Sequence, residues 1–272
     1  MTSNPTSHRL TTDDALTDAP PAGVSRRTVT QGLAWSIPVF ATAAAAPFAS
    51  ASVTCTETIS TSTATYTRTS ATSAVFTWTD LFGDGKDFTL TLSAVPNGAA
   101  NMTINTANNF LLDSATAGGE ALPSVRLSLD TQNLNNAGGG ERVTFAFALD
   151  GVPSVVDDLT YKIKDIDGVQ AIDGLGGAER VYVSSGTGTY NSTWVVGQGL
   201  SNNAWRAATG APNPEVIPTS GAGNVAVTNP FTSEFDLTFV ANNSGRAPAD
   251  RPNQNIWIGP FTFTAINPSC TA

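Results

Sequence analysis

Beyond about residue 52 the chain alternates apolar and polar side chains with period two, and helical periodicity is nearly absent. Phe88, Leu90 and Leu92 alternate with Thr89, Thr91 and Ser93. Val125, Leu127 and Leu129 alternate with Arg126, Ser128 and Asp130. Val143, Phe145, Phe147 and Leu149 form one row, with Thr144, Ala146 and Ala148 opposite. Leu159, Tyr161 and Ile163 face one way, and Thr160, Lys162 and Lys164 the other. Phe235, Leu237 and Phe239 alternate with Glu234, Asp236 and Thr238, and Phe261 and Phe263 repeat the pattern after a Gly259-Pro260 bend.

Strands with one apolar and one polar face belong to antiparallel sheets, because parallel sheets are covered on both faces. Ten or more such segments, punctuated by Gly, Asn, Asp and Pro, predict an all-β fold. The expected architecture is an antiparallel two-sheet sandwich, jelly-roll-like, in a single domain over residues 52–272. The longest stretch without alternation is 197–223. Loops of that length are usually functional or disordered, and this one carries Asn202, Asn203, Trp205 and Arg206. With Trp194 at its border, these five are the expected ligand contacts. Trp78 and Trp257 lie inside strand patterns and are expected to be structural.

Residues 1–51 read differently. A polar stretch leads to Ser25-Arg26-Arg27-Thr28-Val29, then to an Ala-rich, weakly apolar segment over 32–48 and to Ala49-Ser50-Ala51. The last three residues have the small-x-small form of a cleavage site. The pair Arg26-Arg27 ahead of such a segment resembles a twin-arginine (Tat) export signal, with Thr30 and Gln31 departing from the usual leucine and lysine. The resemblance implies export of a folded passenger by the Tat machinery, then cleavage, giving a secreted or extracellular product. The apolar segment is short and contains Pro38 and Pro47, so no stable membrane span is expected after cleavage.

Charge narrows the partners. The chain has 13 Lys and Arg against 22 Asp and Glu, a net charge of -9. No basic patch is visible, so no nucleic-acid partner is expected. The one histidine, His8, lies in the segment expected to be removed. Without imidazole, a histidine-dependent nucleophile and a histidine-ligated metal are both excluded from the remaining domain. Cys55 and Cys270 stand near its two ends; in an exported protein they are expected to form a disulfide.

Carboxylates, amides, hydroxyls and aromatics remain. Asp165 has the parity of Leu159, Tyr161 and Ile163 and would end their inward row. With Asp167 and Asp173 it forms the candidate metal site, for Ca2+, against the plainer reading of an Asp-Gly turn. Asp80, Asp84 and Asp87 form a second acidic loop, expected as turn chemistry, with calcium as the alternative. Glu120, Glu141, Glu179, Glu215 and Glu234 are the carboxylates for a glycosidase-like pair. None lies in a recognisable motif. Glu141 and Glu179 each start a strand ahead of Arg142 or Arg180 and are expected in surface ion pairs.

The run Arg142-Val-Thr-Phe-Ala-Phe-Ala-Leu149, followed by Leu159-Thr-Tyr-Lys-Ile-Lys-Asp-Ile-Asp167, resembles bacterial surface and adhesin-type jelly-roll domains. Gln254-Asn-Ile-Trp-Ile-Gly-Pro-Phe-Thr-Phe263 is similar to their closing strands. Unlike many wall-anchored members, the chain shows no sorting motif before Ala272. The resemblance implies binding or adhesion. The expected function is a secreted or surface-associated, non-catalytic module for a carbohydrate, matrix or extracellular protein ligand. The alternatives are a secreted carbohydrate-active enzyme using paired carboxylates, and a structural surface subunit.

Overall fold

The alternating segments pair into two sheets whose apolar faces meet. The computed structural model describes residues 54–98, 102–114, 116–120, 123–131, 139–167, 179–208, 220–241 and 253–270. Arg26, Arg27, Asp173 and Glu215 lie outside these residues. Eighteen strands are described, β1 to β18 in chain order, and no α-helix.

Sheet one is built on β10 (Val156–Lys164). Along one edge of β10 runs β15 (Val225–Thr232), with β12 (Thr187–Tyr190) beyond it. Along the other edge run β18 (Thr262–Ile266) and β17 (Asn253–Ile258), which are separated by the bend at Gly259-Pro260. β18 pairs with β1 (Thr56–Ser60). β17 pairs with β7 (Ser124–Thr131), which also carries the short β5 (Met102–Ile104) and β6 (Leu112–Asp113).

Sheet two runs in the order β11 (Glu179–Val183), β16 (Glu234–Ala241), β8 (Gly139–Leu149), β4 (Phe88–Gly98), β3 (Ser73–Trp78), β2 (Thr65–Ser70). The short β9 (Val152–Pro153) folds back on β8. Its turn is Asp150-Gly151, with φ of 50° and 76°. Two residues at positive φ make the tight hairpin that matches strand twist, and an Asp-Gly pair meets that demand. From β7 onward the long strands alternate between sheets: β7 in one, β8 in two, β10 in one, β11 in two, β15 in one, β16 in two, β17 in one. That is the wrapping of a jelly roll.

The core lies between the sheets, and its rows are those of the sequence alternation. Phe145 and Phe235 stack with centroids 4.7 Å apart. Phe147 of sheet two meets Phe263 of sheet one at 5.0 Å. Each fully buried apolar side chain contributes about 1.5–3 kcal/mol, and the aromatic contacts add to that. The expected disulfide is present, Cys55 to Cys270, with Cα atoms 5.5 Å apart. It ties the start of β1 to the end of β18.

Three expectations are corrected. Lys164, expected on the wet face, is fully buried. The turn at Ala117–Glu120 folds over it, and Lys164 Nζ bonds Glu120 Oε2 and Ser124 Oγ, each at 3.0 Å. Glu141 is not in a surface ion pair with Arg142: it is fully buried, and Asn109 Nδ2 donates to its Oε2 at 2.9 Å. Burial pushes its pKa up to about 8, with the Asn109 bond pulling the other way. Glu179 is likewise buried and accepts the Asp167 backbone N–H. Both glutamates share parity with inward valines, Val143 and Val181, and strand geometry takes them inside.

Candidate functional site

The outer face of sheet two forms a polar platform. Tyr182, Thr238, Arg142 and Val95 stand in one cross-strand row over β11, β16, β8 and β4. Asp236, Thr144 and Ser93 form the neighbouring row. Apart from the exposed Val95, these positions are polar because they oppose Val143, Phe145 and Leu237 on the same strands.

A wall rises beside the platform where the 197–223 segment begins. Leu200, Ser201 and Asn202 make a tight turn, closed by Asn203 N–H to Leu200 O at 2.9 Å. Val183 N–H donates to Gly199 O at 2.9 Å and ties the turn to β11. Trp205 pins it from below: it is fully buried and exchanges backbone bonds of 2.9 Å with Val181 in both directions. Its ring lies against Gly188 and Gly199, where an added Cβ would stand 2.3 Å and 2.4 Å from Trp205 Cζ2. β13 (Val195–Val196) and β14 (Arg206–Ala207) pair as a small ladder around it. The first part of the expected loop is therefore built structure.

Platform and wall enclose a cleft of about 620 Å³. Arg142, Asp236, Tyr182, Asn97 and Asn202 supply its main polar groups. Thr144 Oγ1 donates to Asp236 Oδ1 at 2.6 Å and orients the carboxylate. Arg142 Nε stands 3.9 Å from Asp236 Oδ2, a loose contact, and the arginine side chain is 54% exposed. A guanidinium has five N–H donors, so this one keeps donors for a ligand. Carboxylate acceptor and guanidinium donors lie side by side above a floor of hydroxyls. Asp236 is the one carboxylate among the described lining residues, whereas glycoside cleavage uses two.

Of the five expected ligand residues, Asn202 lines this cleft. Trp205 is buried and positions the wall; it presents no contact surface. Trp194 is half-buried against the core. Asn203 closes the turn through its backbone, and Arg206 Nη1 bonds Ala204 O at 3.4 Å. Of the expected metal ligands, Asp165 is buried with φ of 65° and Asp167 joins the Glu179 contact; Asp173 lies outside the described residues. Among the described residues no three His, Cys, Asp or Glu side chains are grouped to hold a metal. In the second acidic loop, Asp80 and Asp84 accept backbone N–H groups of Gly85 and Lys86, as turn chemistry requires.

No family model matches the chain, and no curated protein matches it. Among solved structures it is similar to the adhesin domain of PrgB from Enterococcus faecalis, at 10% identity and a TM-score of 0.39. The match covers 70% of this chain and 66% of that one. At that TM-score the likeness carries no argument about function.

Proposed function

We propose that this protein is an exported, non-catalytic binding module whose ligand is a carbohydrate held in the cleft on sheet two. The observation that carries the reading is the pair of exposed Arg142 and half-buried Asp236 beside Tyr182, Asn97 and Asn202. A sugar diol both donates and accepts hydrogen bonds, and a guanidinium beside a carboxylate complements it with charge-assisted bonds in both directions. The wall at Leu200 adds an apolar edge for a ring face. Export rests on the twin-arginine-like segment, and the Cys55–Cys270 disulfide suits an oxidising compartment. Within the same reading, Asp165, Asp167 and Asp173 are the ligands of a calcium ion; a melting temperature unmoved by calcium or chelator removes this part.

The test is retention of the purified chain on immobilised xylan, galactomannan, dextran and cell-wall fractions. Saturable retention on one of them is expected, weakened about tenfold or more by Arg142→Ala or Asp236→Ala, a loss of about 1.4 kcal/mol. Both variants should melt like the parent, because their side chains lie outside the core. Retention equal to the parent in both variants overturns the proposal.

A further inference from the structure

The opposite face of the sandwich carries an arrangement the sheet-two cleft does not use. Sheet one turns Ser60, Thr262, Thr160, Thr228 and Thr187 outward in a single row across β1, β18, β10, β15 and β12. The four threonines are exposed. With strands about 4.8 Å apart, the row is about 19 Å long. Threonine is stiff at χ1, so the hydroxyls form a fixed array; those of Thr187 and Thr228 lie 3.1 Å apart.

One pleat along, Lys162 and Thr189 flank Ala226. The small alanine leaves a trough. Two depressions, of about 350 Å³ and 430 Å³, meet there and share Glu120, Lys162 and Ala226. The first runs onto the hydroxyl row at Thr160, Thr228 and Thr262. The second runs to Gly118, Gly119 and Asn224. Gly118 is obligatory at this end, because its φ is +57° and a Cβ would stand 2.3 Å from Asn224 Oδ1.

At the meeting point Glu120 is clamped by two lysines. Buried Lys164 takes Oε2, and Lys162 bonds Oε1. Desolvation opposes ionisation of Glu120, but the bonds from Lys162 and Lys164 outweigh it and hold its pKa below the ordinary value. Lys164 is held from behind by Ser124. Lys162 is 44% exposed and has three N–H donors, so it can bond a ligand without releasing Glu120.

We propose that this trough is a second ligand site, which takes an extended neutral polysaccharide lying across the strands of sheet one. An ammonium beside a carboxylate complements vicinal sugar hydroxyls, and the threonine row continues that donor and acceptor pattern for further sugar units. The net charge of -9 disfavours a polyanion. Among the described residues the trough exposes no large aromatic anchor of the kind that carries protein interfaces, since Tyr161 at its base is buried. This site stands on residues separate from those of the sheet-two cleft. With sites on opposite faces, one domain would bridge two polysaccharide chains.

The experiment is affinity electrophoresis of the full chain through native gels containing soluble xylan, galactomannan or dextran. The variants are Thr160→Val with Thr228→Val, Lys162→Met, and Arg142→Ala. Valine keeps threonine's shape and strand preference, and the methionine substitution supplies a second probe should the valine pair fail to fold. The expected result is at least a threefold weaker retardation for each sheet-one variant, with unchanged melting, and a further loss when either is combined with Arg142→Ala. Sheet-one variants that migrate like the parent while Arg142→Ala loses retardation overturn the second site and leave the first. Loss confined to the sheet-one variants overturns the first and keeps the second. A parent retarded by none of the three polysaccharides overturns both.

Discussion

Glu141 makes the stability of this protein fall as pH rises, and Glu141→Gln should abolish that fall. In the unfolded chain the carboxyl ionises near 4.5, whereas inside the sandwich its pKa is pushed up to about 8. Between those values the folded chain holds a proton that the unfolded chain has released. Stability therefore declines across the window and levels off above it. The full difference corresponds to about 5 kcal/mol, at about 1.4 kcal/mol per pH unit. The substituted amide is neutral throughout and can still accept from Asn109. The variant should match the parent near about pH 5 and exceed it by several kcal/mol at about pH 9. Glu120 does not confuse the result: its pKa is lowered, so its contribution is lost only as pH falls through the acid range, below this window. Guanidinium unfolding followed by tryptophan fluorescence, in unit pH steps, measures the slope. A parent curve that is flat across the window, or a variant that keeps the parent's slope, refutes the reasoning.

Other perturbations test the architecture. Gly140→Ala places a Cβ 2.0 Å from Phe239 O; the forced separation of β8 from β16 should cost about 1–3 kcal/mol or more in denaturant titration. Trp205→Ala should cost about 3–5 kcal/mol and also weaken ligand retention, because the Leu200–Asn202 wall loses its anchor; full retention with lowered stability would separate the two roles. Reduction of Cys55–Cys270 opens a loop of sequence separation 215 and should lower stability by up to about 5 kcal/mol, read as a drop in melting temperature with reductant.

The strands were legible because one buried face writes period two into the sequence, and rows such as Val143, Phe145 and Phe147 could take no other side. The same parity places Glu141 inside; the neighbouring Arg142 points instead to a surface pair, and geometry outweighs the neighbour. Lys164 is a different case. Its parity is outward as read, and it is buried by the turn at Ala117–Glu120, some forty positions away, a non-local cover that no local pattern encodes. The site divides similarly. The segment after Gly197 stood out by its lack of alternation, and Asn202 lines the cleft. Arg142, Asp236, Tyr182 and Thr238 resemble any polar residues on a wet sheet face until strand order sets them side by side. Trp205 was legible as unusual for its place in a loop, but whether an indole serves as contact or anchor depends on the glycines it packs against, Gly188 and Gly199.

The bond between Cys55 and Cys270 also fixes how the domain would carry mechanical load. Tension applied to the chain before residue 55 and after residue 270 enters and leaves at two Cα atoms 5.5 Å apart. It passes through the sulfur bridge and bypasses the strands between them. The backbone hydrogen bonds of both sheets are shielded from pulling while the bridge is intact. Tension carried between its two chain ends leaves a domain wired in this way unextended, and chemical reduction would convert the same domain into an extensible spring.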